Sequence, residues 1–225
     1  MYHHVGSSTE TSTLNVSPET FERQMEFLKV HHYNVVPLLD LFEMLRENKR
    51  IPMNTVAITF DDGNLDNFKL AFPVLKKMRL KATIFMITDN IGKEGWMAEE
   101  DLKILEASGI SIGSHTVHHA FLPNLTKEEI RAELRDSRNK LEKILGHPVF
   151  LLSYPSGGFT RQAQAIAKDA GYQGAVTTNY GRGHYDLFGL HRIKVTNEGR
   201  SLFRFWIKTS GFYHLGKKRL PVREE

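Results

Sequence analysis

The chain has 225 residues, 40% of them hydrophobic and 25% charged, a balance that excludes a disordered or fibrous protein and leaves material for one large core. It contains no cysteine, which excludes disulfide frameworks, thiolate metal sites and thiol nucleophiles, while 11 histidines leave imidazole and carboxylate as the available metal ligands. The formal charge of +4 is spread out; the one dense basic run, Lys217-Lys218-Arg219, reads as a solvated tail, and without a basic stripe interleaved with aromatics no nucleic-acid partner is expected.

Met1-Tyr2-His3-His4-Val5 reads as the second half of a buried strand, so the chain opens abruptly. No basic-then-apolar leader precedes it, and no run of roughly 18 apolar residues marks a membrane span. Ser17-Pro18-Glu19 supplies an N-cap, a first-turn proline and a first-turn acid for a helix carrying Phe21, Met25 and Leu28. A short strand at Asn34-Val35-Val36, a helix from Leu38 to Glu47 and an apolar strand from Val56 to Phe60 follow. A helix ending at Met78 leads to a strand from Ala82 to Ile87, then a helix from Met97 to Ser108 and a strand from Ile110 to Ser114.

Thr126-Lys127-Glu128-Glu129 is a capping box, and Ile130, Leu134, Leu141, Ile144 and Leu145 form the buried stripe of a long helix stopping at Gly146. Strand Val149 to Leu152, helix Thr160 to Ala170, strands Gly174 to Thr177 and Leu190 to Val195, and a helix from Leu202 to Tyr213 complete the pass. Strands alternating with helices, without a linker or repeat, predict a single domain over residues 1–225 with a mostly parallel sheet covered on its outside. A (β/α) barrel of seven or eight strands accommodates this; an open doubly wound sheet is the alternative, but no glycine-rich phosphate loop follows any strand.

Two segments carry candidate chemistry. Thr59-Phe60-Asp61-Asp62-Gly63 places adjacent carboxylates at a strand end, where barrel active sites lie; the same residues are also a turn signal. Ser114-His115-Thr116-Val117-His118-His119 ends another strand, and a single helical turn there would put His115 and His119 on one face, with Gly113 permitting a tight exit. Asp62, His115 and His119 together make a two-histidine, one-carboxylate set with positions left open, and His118 is expected to point away. A divalent ion there would lower the pKa of water from about 15.7 toward about 7, and Asp61 stands beside it to take the proton.

These two segments, with Ser153-Tyr154-Pro155-Ser156-Gly157-Gly158, resemble the first three motifs of the polysaccharide deacetylases, the NodB-like carbohydrate esterases of family 4. The resemblance implies a distorted (β/α) barrel that hydrolyses acetyl groups from sugar polymers, with Asp61 as general base. Asp62, His115 and His119 would hold one divalent metal ion, zinc first and nickel, cobalt or manganese as alternatives. The Ser156 N–H would stabilise the oxyanion, and Tyr154 and Pro155 would line a substrate groove. Family members usually act outside the cytoplasm.

The chain departs from the family pattern twice. Ser153 stands where the third motif has the arginine that tethers the base, and Arg192 is expected to supply that contact from a neighbouring strand. The C-terminal Leu-x-His motif, source of the general acid, is missing after Val195. The opening Met1-Tyr2-His3-His4-Val5 resembles a permuted subgroup, the deacetylases of poly-β-1,6-N-acetylglucosamine, in which that histidine comes first; His3 is therefore the candidate acid and His191 the second. Trp96, Phe159, Tyr180, Tyr185 and Phe188 offer sugar-stacking faces but also suit packing, and residues 179–184 read as a loop over the groove. Two other readings stay open at this point: an amidase or deformylase on a non-sugar C–N bond with the same metal centre, and a catalytically silent carbohydrate-binding barrel.

Overall fold

A computed structural model describes residues 1–6, 14–178, 186–196 and 201–210; Tyr180, Tyr185, the 179–184 loop and Lys217-Lys218-Arg219 lie outside the described residues. The strands are β1 (His4–Val5), β2 (Asn15–Val16), β3 (Asn34–Val35), β4 (Thr55–Val56), β5 (Ile58–Phe60), β6 (Ala82–Met86), β7 (Ser111–Ser114), β8 (Leu151–Ser153), β9 (Gly174–Thr177) and β10 (Leu190–His191). β5 to β10 form one sheet in sequence order, with every neighbouring pair parallel. All five residues of β6 are buried, as befits a parallel strand covered on both faces.

The first residues of the chain join the two edges of this sheet. Tyr2 N–H donates to Thr59 O at 2.8 Å and Asp61 N–H to Tyr2 O at 3.0 Å, against β5. On the other side Met1 N–H donates to Ile193 O at 3.0 Å and Val195 N–H to Met1 O at 2.9 Å. The opening segment is thus the seventh stave of a distorted barrel: the alternation of elements predicts the (β/α) barrel, and the family resemblance implies its distortion.

Aromatic packing holds that stave in place. The Tyr2 ring stacks on Phe60 at 5.4 Å and meets Phe21 edge-on at 5.2 Å, and its hydroxyl donates to Gln24 Oε1 at 2.8 Å. Each such fully buried apolar side chain contributes about 1.5–3 kcal/mol. Phe21 and Gln24 belong to α1 (Pro18–Val30), whose first turn is capped by Ser17 Oγ accepting from Thr20 N–H at 3.3 Å. Core packing on α1 therefore decides where residue 3 stands relative to the end of β5.

The other helices are α2 (Leu38–Arg46), α3 (Phe72–Met78), α4 (Glu99–Ala107), α5 (Lys127–Leu145), α6 (Arg161–Asp169) and α7 (Leu202–Thr209). The Thr126–Glu129 capping box opens α5, and Gly146, at φ 78°, closes it in the left-handed conformation that glycine adopts at low cost.

Four expectations need correction. The 56–60 strand is broken at Ala57, and its first part, β4, pairs with β3 beside the barrel, so Asn34-Val35 is no barrel stave. The 190–195 strand is regular only at 190–191, because beyond it the partner changes from β9 to the single residue Met1. The 115–119 segment is an irregular loop and not a helical turn: Thr116 and His119 have φ of 67° and 58°. Gly113 permits no turn; it lies within β7, where a Cβ would come within 2.6 Å of the Phe85 ring, so its smallness makes room for Phe85.

Candidate active site

β5 ends in Thr59-Phe60-Asp61, and period-two alternation sends Thr59 and Asp61 to the same side. Both meet the guanidinium of Arg192, which arrives one residue beyond β10. Its Nη1 donates to Asp61 Oδ1 at 2.7 Å and Thr59 Oγ1 at 3.2 Å, and its Nη2 to Asp61 Oδ2 at 2.6 Å and Ser153 Oγ at 2.8 Å. The group lies 5.4 Å from the centre of the Phe85 ring. Three stretches of the wall are thereby tied by one buried, two-pronged ion pair, the strongest geometry available to arginine and carboxylate. Burial pushes the Asp61 pKa up, but Arg192 and His115 outweigh it and hold the carboxyl well below its usual range.

The next two residues reverse the chain through left-handed backbone, Asp62 at φ 74° and Gly63 at φ 86°. Glycine adopts this conformation at low cost, and it also leaves room for the end of the Met86 side chain, whose Cε would lie 2.4 Å from a Cβ at position 63. The turn directs Asp62 toward the loop after β7. Its Oδ1 lies 3.5 Å from His115 Nε2 and 3.7 Å from His119 Nε2, and one donor atom from each of the three residues fits within a mutual 4.8 Å. His115 is buried, and its Nδ1 hydrogen-bonds Ser153 O at 2.8 Å, which turns the Nε2 lone pair toward Asp62.

Two imidazole nitrogens and one carboxylate oxygen, converging and with one imidazole oriented from behind, suit a divalent transition metal. The electrostatics agree. Burial opposes charge on His115, yet Asp61 and Asp62 outweigh it and raise its pKa, so the pocket favours positive charge. Burial and His115 lower the His119 pKa against the pull of Asp62 and Asp61, which favours the neutral imidazole that a metal ligand needs. Four of the non-glycine residues with positive φ, Asp62, Thr116, His119 and Ser156, belong to these motif loops, the kind of backbone strain that concentrates at functional sites.

The remaining sequence candidates fall in different places. His3 lies beside this cluster, near enough to Asp61 and Asp62 for both to act on its charge, and its Nδ1 is buried without a hydrogen bond. Burial and Arg192 lower its pKa against those carboxylates, making the imidazolium a readier proton donor but a scarcer species near neutral pH. His191 lies instead along a cavity of about 370 Å³ shared with Leu38, Leu41, Ile58 and Phe205. His118 points away, its Nδ1 2.6 Å from Glu133 Oε1. Ser156, exposed and at φ 53°, sits in a tight turn whose first internal bond is Gly157 N–H to Tyr154 O at 2.9 Å, leaving the Ser156 N–H ahead of that bond. Pro155 is buried, and Tyr154 is fully so, stacked on Phe159 at 4.6 Å. The Tyr154 ring is thus core and offers a groove no surface; Phe159 and Phe188 are core too.

A family model described as polysaccharide deacetylase matches residues 48–175, more than half of the chain and including all three motif segments. The chain belongs to the polysaccharide deacetylase family. This deacetylase is therefore a hydrolase by membership. It is 36% identical to YxkH of Bacillus subtilis (strain 168), itself assigned to the polysaccharide deacetylases, across 87% of this chain and 70% of that protein. It is 27% identical to the poly-β-1,6-N-acetyl-D-glucosamine N-deacetylase of Staphylococcus aureus across 94% of this chain and 74% of that one. Among solved structures it resembles the Streptococcus pyogenes deacetylase PplD in complex with acetate, at TM-score 0.84 and 28% identity over 90% of this chain and 94% of that one.

Sequence reading missed several residues that shape the deacetylase site. Asn67 Nδ2 donates to His3 O at 2.9 Å, and Asp66 takes His4 Nδ1 at 2.7 Å and Val5 N–H at 3.3 Å, so the segment after β5 grips the opening stave from the His3 carbonyl to Val5. Nothing in the spacing marks Asp66 or Asn67. Thr59 had a visible signal, a hydroxyl two residues before Asp61 in an otherwise apolar strand. Glu133 had another, a charge inside the apolar stripe of α5.

Proposed function

We propose that this deacetylase removes N-acetyl groups from an N-acetylhexosamine-containing polysaccharide or oligosaccharide by metal-dependent hydrolysis. The observation that carries this reading is the buried Asp61 carboxylate, held ionised by Arg192 and 4.0 Å from His115 Nε2, against a three-donor cluster suited to a divalent ion. Asp62, His115 and His119 would hold that ion, zinc first and nickel, cobalt or manganese as alternatives. When bound it supplies Lewis acidity and a water of lowered pKa.

The chain's own residues perform the rest. Asp61 takes the proton as the water oxygen bonds to the acetyl carbon, and Arg192 keeps the carboxylate ionised and aimed. The Ser156 N–H donates to the oxygen on which negative charge develops. His3 gives a proton to the leaving nitrogen as the C–N bond breaks, yielding acetate and a free amine. A polymer of N-acetylglucosamine as substrate draws support from the polymer for which the S. aureus relative is named.

The test is acetate release from N-acetylglucosamine oligomers. Release should stop on treatment with a chelator and return with added zinc; release indifferent to the chelator would overturn the metal reading, and none from any N-acetylated glycan would overturn the substrate class. The role of His3 is tested separately. The His3→Ala variant should lose turnover while binding zinc at the same stoichiometry, and near-normal turnover would reject His3 as the acid.

A further inference from the structure

Helix α5 turns Ile130, Glu133, Leu134, Ser137 and Leu141 inward. Three of these make an ordinary apolar stripe; the two polar ones need a reason, because a buried carboxylate is costly unless its oxygens are satisfied. Glu133 is 8% exposed. Its Oε2 accepts from the backbone N–H groups of Val117 at 2.9 Å and His118 at 3.0 Å, and its Oε1 takes His118 Nδ1 at 2.6 Å.

One turn along the same row, Ser137 Oγ lies 2.8 Å from Ser114 Oγ, which accepts from Thr116 N–H at 3.2 Å. Three residues further on, Lys140 Nζ donates to Thr88 O at 2.7 Å, and Thr88 N–H donates to Thr116 O at 3.1 Å. These contacts bracket the loop from Ser114 to His119, whose left-handed Thr116 and His119 adopt a conformation that persists only where the surroundings over-determine it.

We propose that Glu133 is a positioning residue of the metal centre: by clamping the 117–118 backbone from α5 it sets the separation of the His115 and His119 nitrogens, and with it the bite of the ligand set. This rests on the metal-dependent reading above. A residue that only anchored the helix would be replaceable by an apolar side chain, and the loop contact would then bear on folding alone.

The test is the zinc dissociation constant of the folded protein, read by competition with a chromophoric chelator, with circular dichroism as the check on folding. The Glu133→Ala variant should bind zinc roughly 10–100-fold more weakly, the usual effect of removing a partner behind metal ligands. Glu133→Gln, whose amide oxygen still accepts both N–H groups, should stay near the wild-type value. His118→Ala should do the same, because the backbone contacts remain. A folded Glu133→Ala chain that binds zinc as tightly as wild type overturns the proposal. Should that variant fail to fold, Glu133→Asp, one methylene too short to reach the loop, carries the same test, and unchanged affinity there overturns it equally. Wild-type protein that binds none of zinc, nickel, cobalt and manganese overturns the metal centre itself, and the role of Glu133 with it.

Discussion

Replacing Arg192 with methionine should destabilise the fold by about 3–5 kcal/mol, because it strands the buried Asp61 carboxylate without its partner. Against a total of about 5–15 kcal/mol for a domain this is a large fraction, and urea denaturation at neutral pH would measure it. The double variant Asp61→Asn/Arg192→Met should recover much of the loss, since neither charge is then left buried alone. Loss of stability in the single variant no greater than in the double would refute the account. The pH dependence has a definite sign. Asp61 has a folded pKa below its unfolded value, so the pair's contribution is fully present above the ordinary carboxylate pKa of about 3.9 and is lost as pH falls from there toward the folded value. The gap between wild type and Arg192→Met should therefore close as pH falls into strong acid.

Changing Asp61 to asparagine should lower kcat by roughly 10²–10⁴-fold, the usual contribution of a positioned general base, with zinc still bound through Asp62, His115 and His119. Asparagine keeps the shape and one acceptor for Arg192 but cannot take the proton. The measurement is steady-state acetate release alongside metal content, at a temperature where circular dichroism shows the variant folded. Loss of the metal together with activity would move Asp61 from base to ligand; retention of both would remove it from the mechanism. Because Asp61 stays ionised far into acid, any acidic limb in the wild-type rate profile should titrate another group.

Most of the barrel could be read from the chain because its signals are local. The Ser17 and Thr126 caps, the Gly146 stop and the apolar run Ala82–Met86 each act within a few residues, and each element formed there. What could not be read depends on partners far off in sequence. Ala57 breaks a continuous apolar run because Thr55–Val56 has β3 to pair with and Ile58–Phe60 has β6. The spacing of His115 and His119 suggested a helix, yet the two imidazoles converge through two left-handed residues stabilised by contacts from Glu133 and Thr88 that no local pattern announces. The same limit applies to Tyr154: the family resemblance implies a place in a substrate groove, but the ring turns inward onto Phe159.

The arginine that grips Asp61 comes from position 192, while Ser153, across the pocket, reaches the same guanidinium only with its hydroxyl. The two positions meet at the same carboxylate, so a long cation at 192 and a small residue at 153 together fill a single space. What the Asp61 carboxylate requires is a positive charge at one point inside the barrel. Here the charge comes from just beyond the last strand of the sheet, outside the three motif segments, where a linear pattern built on those segments does not reach.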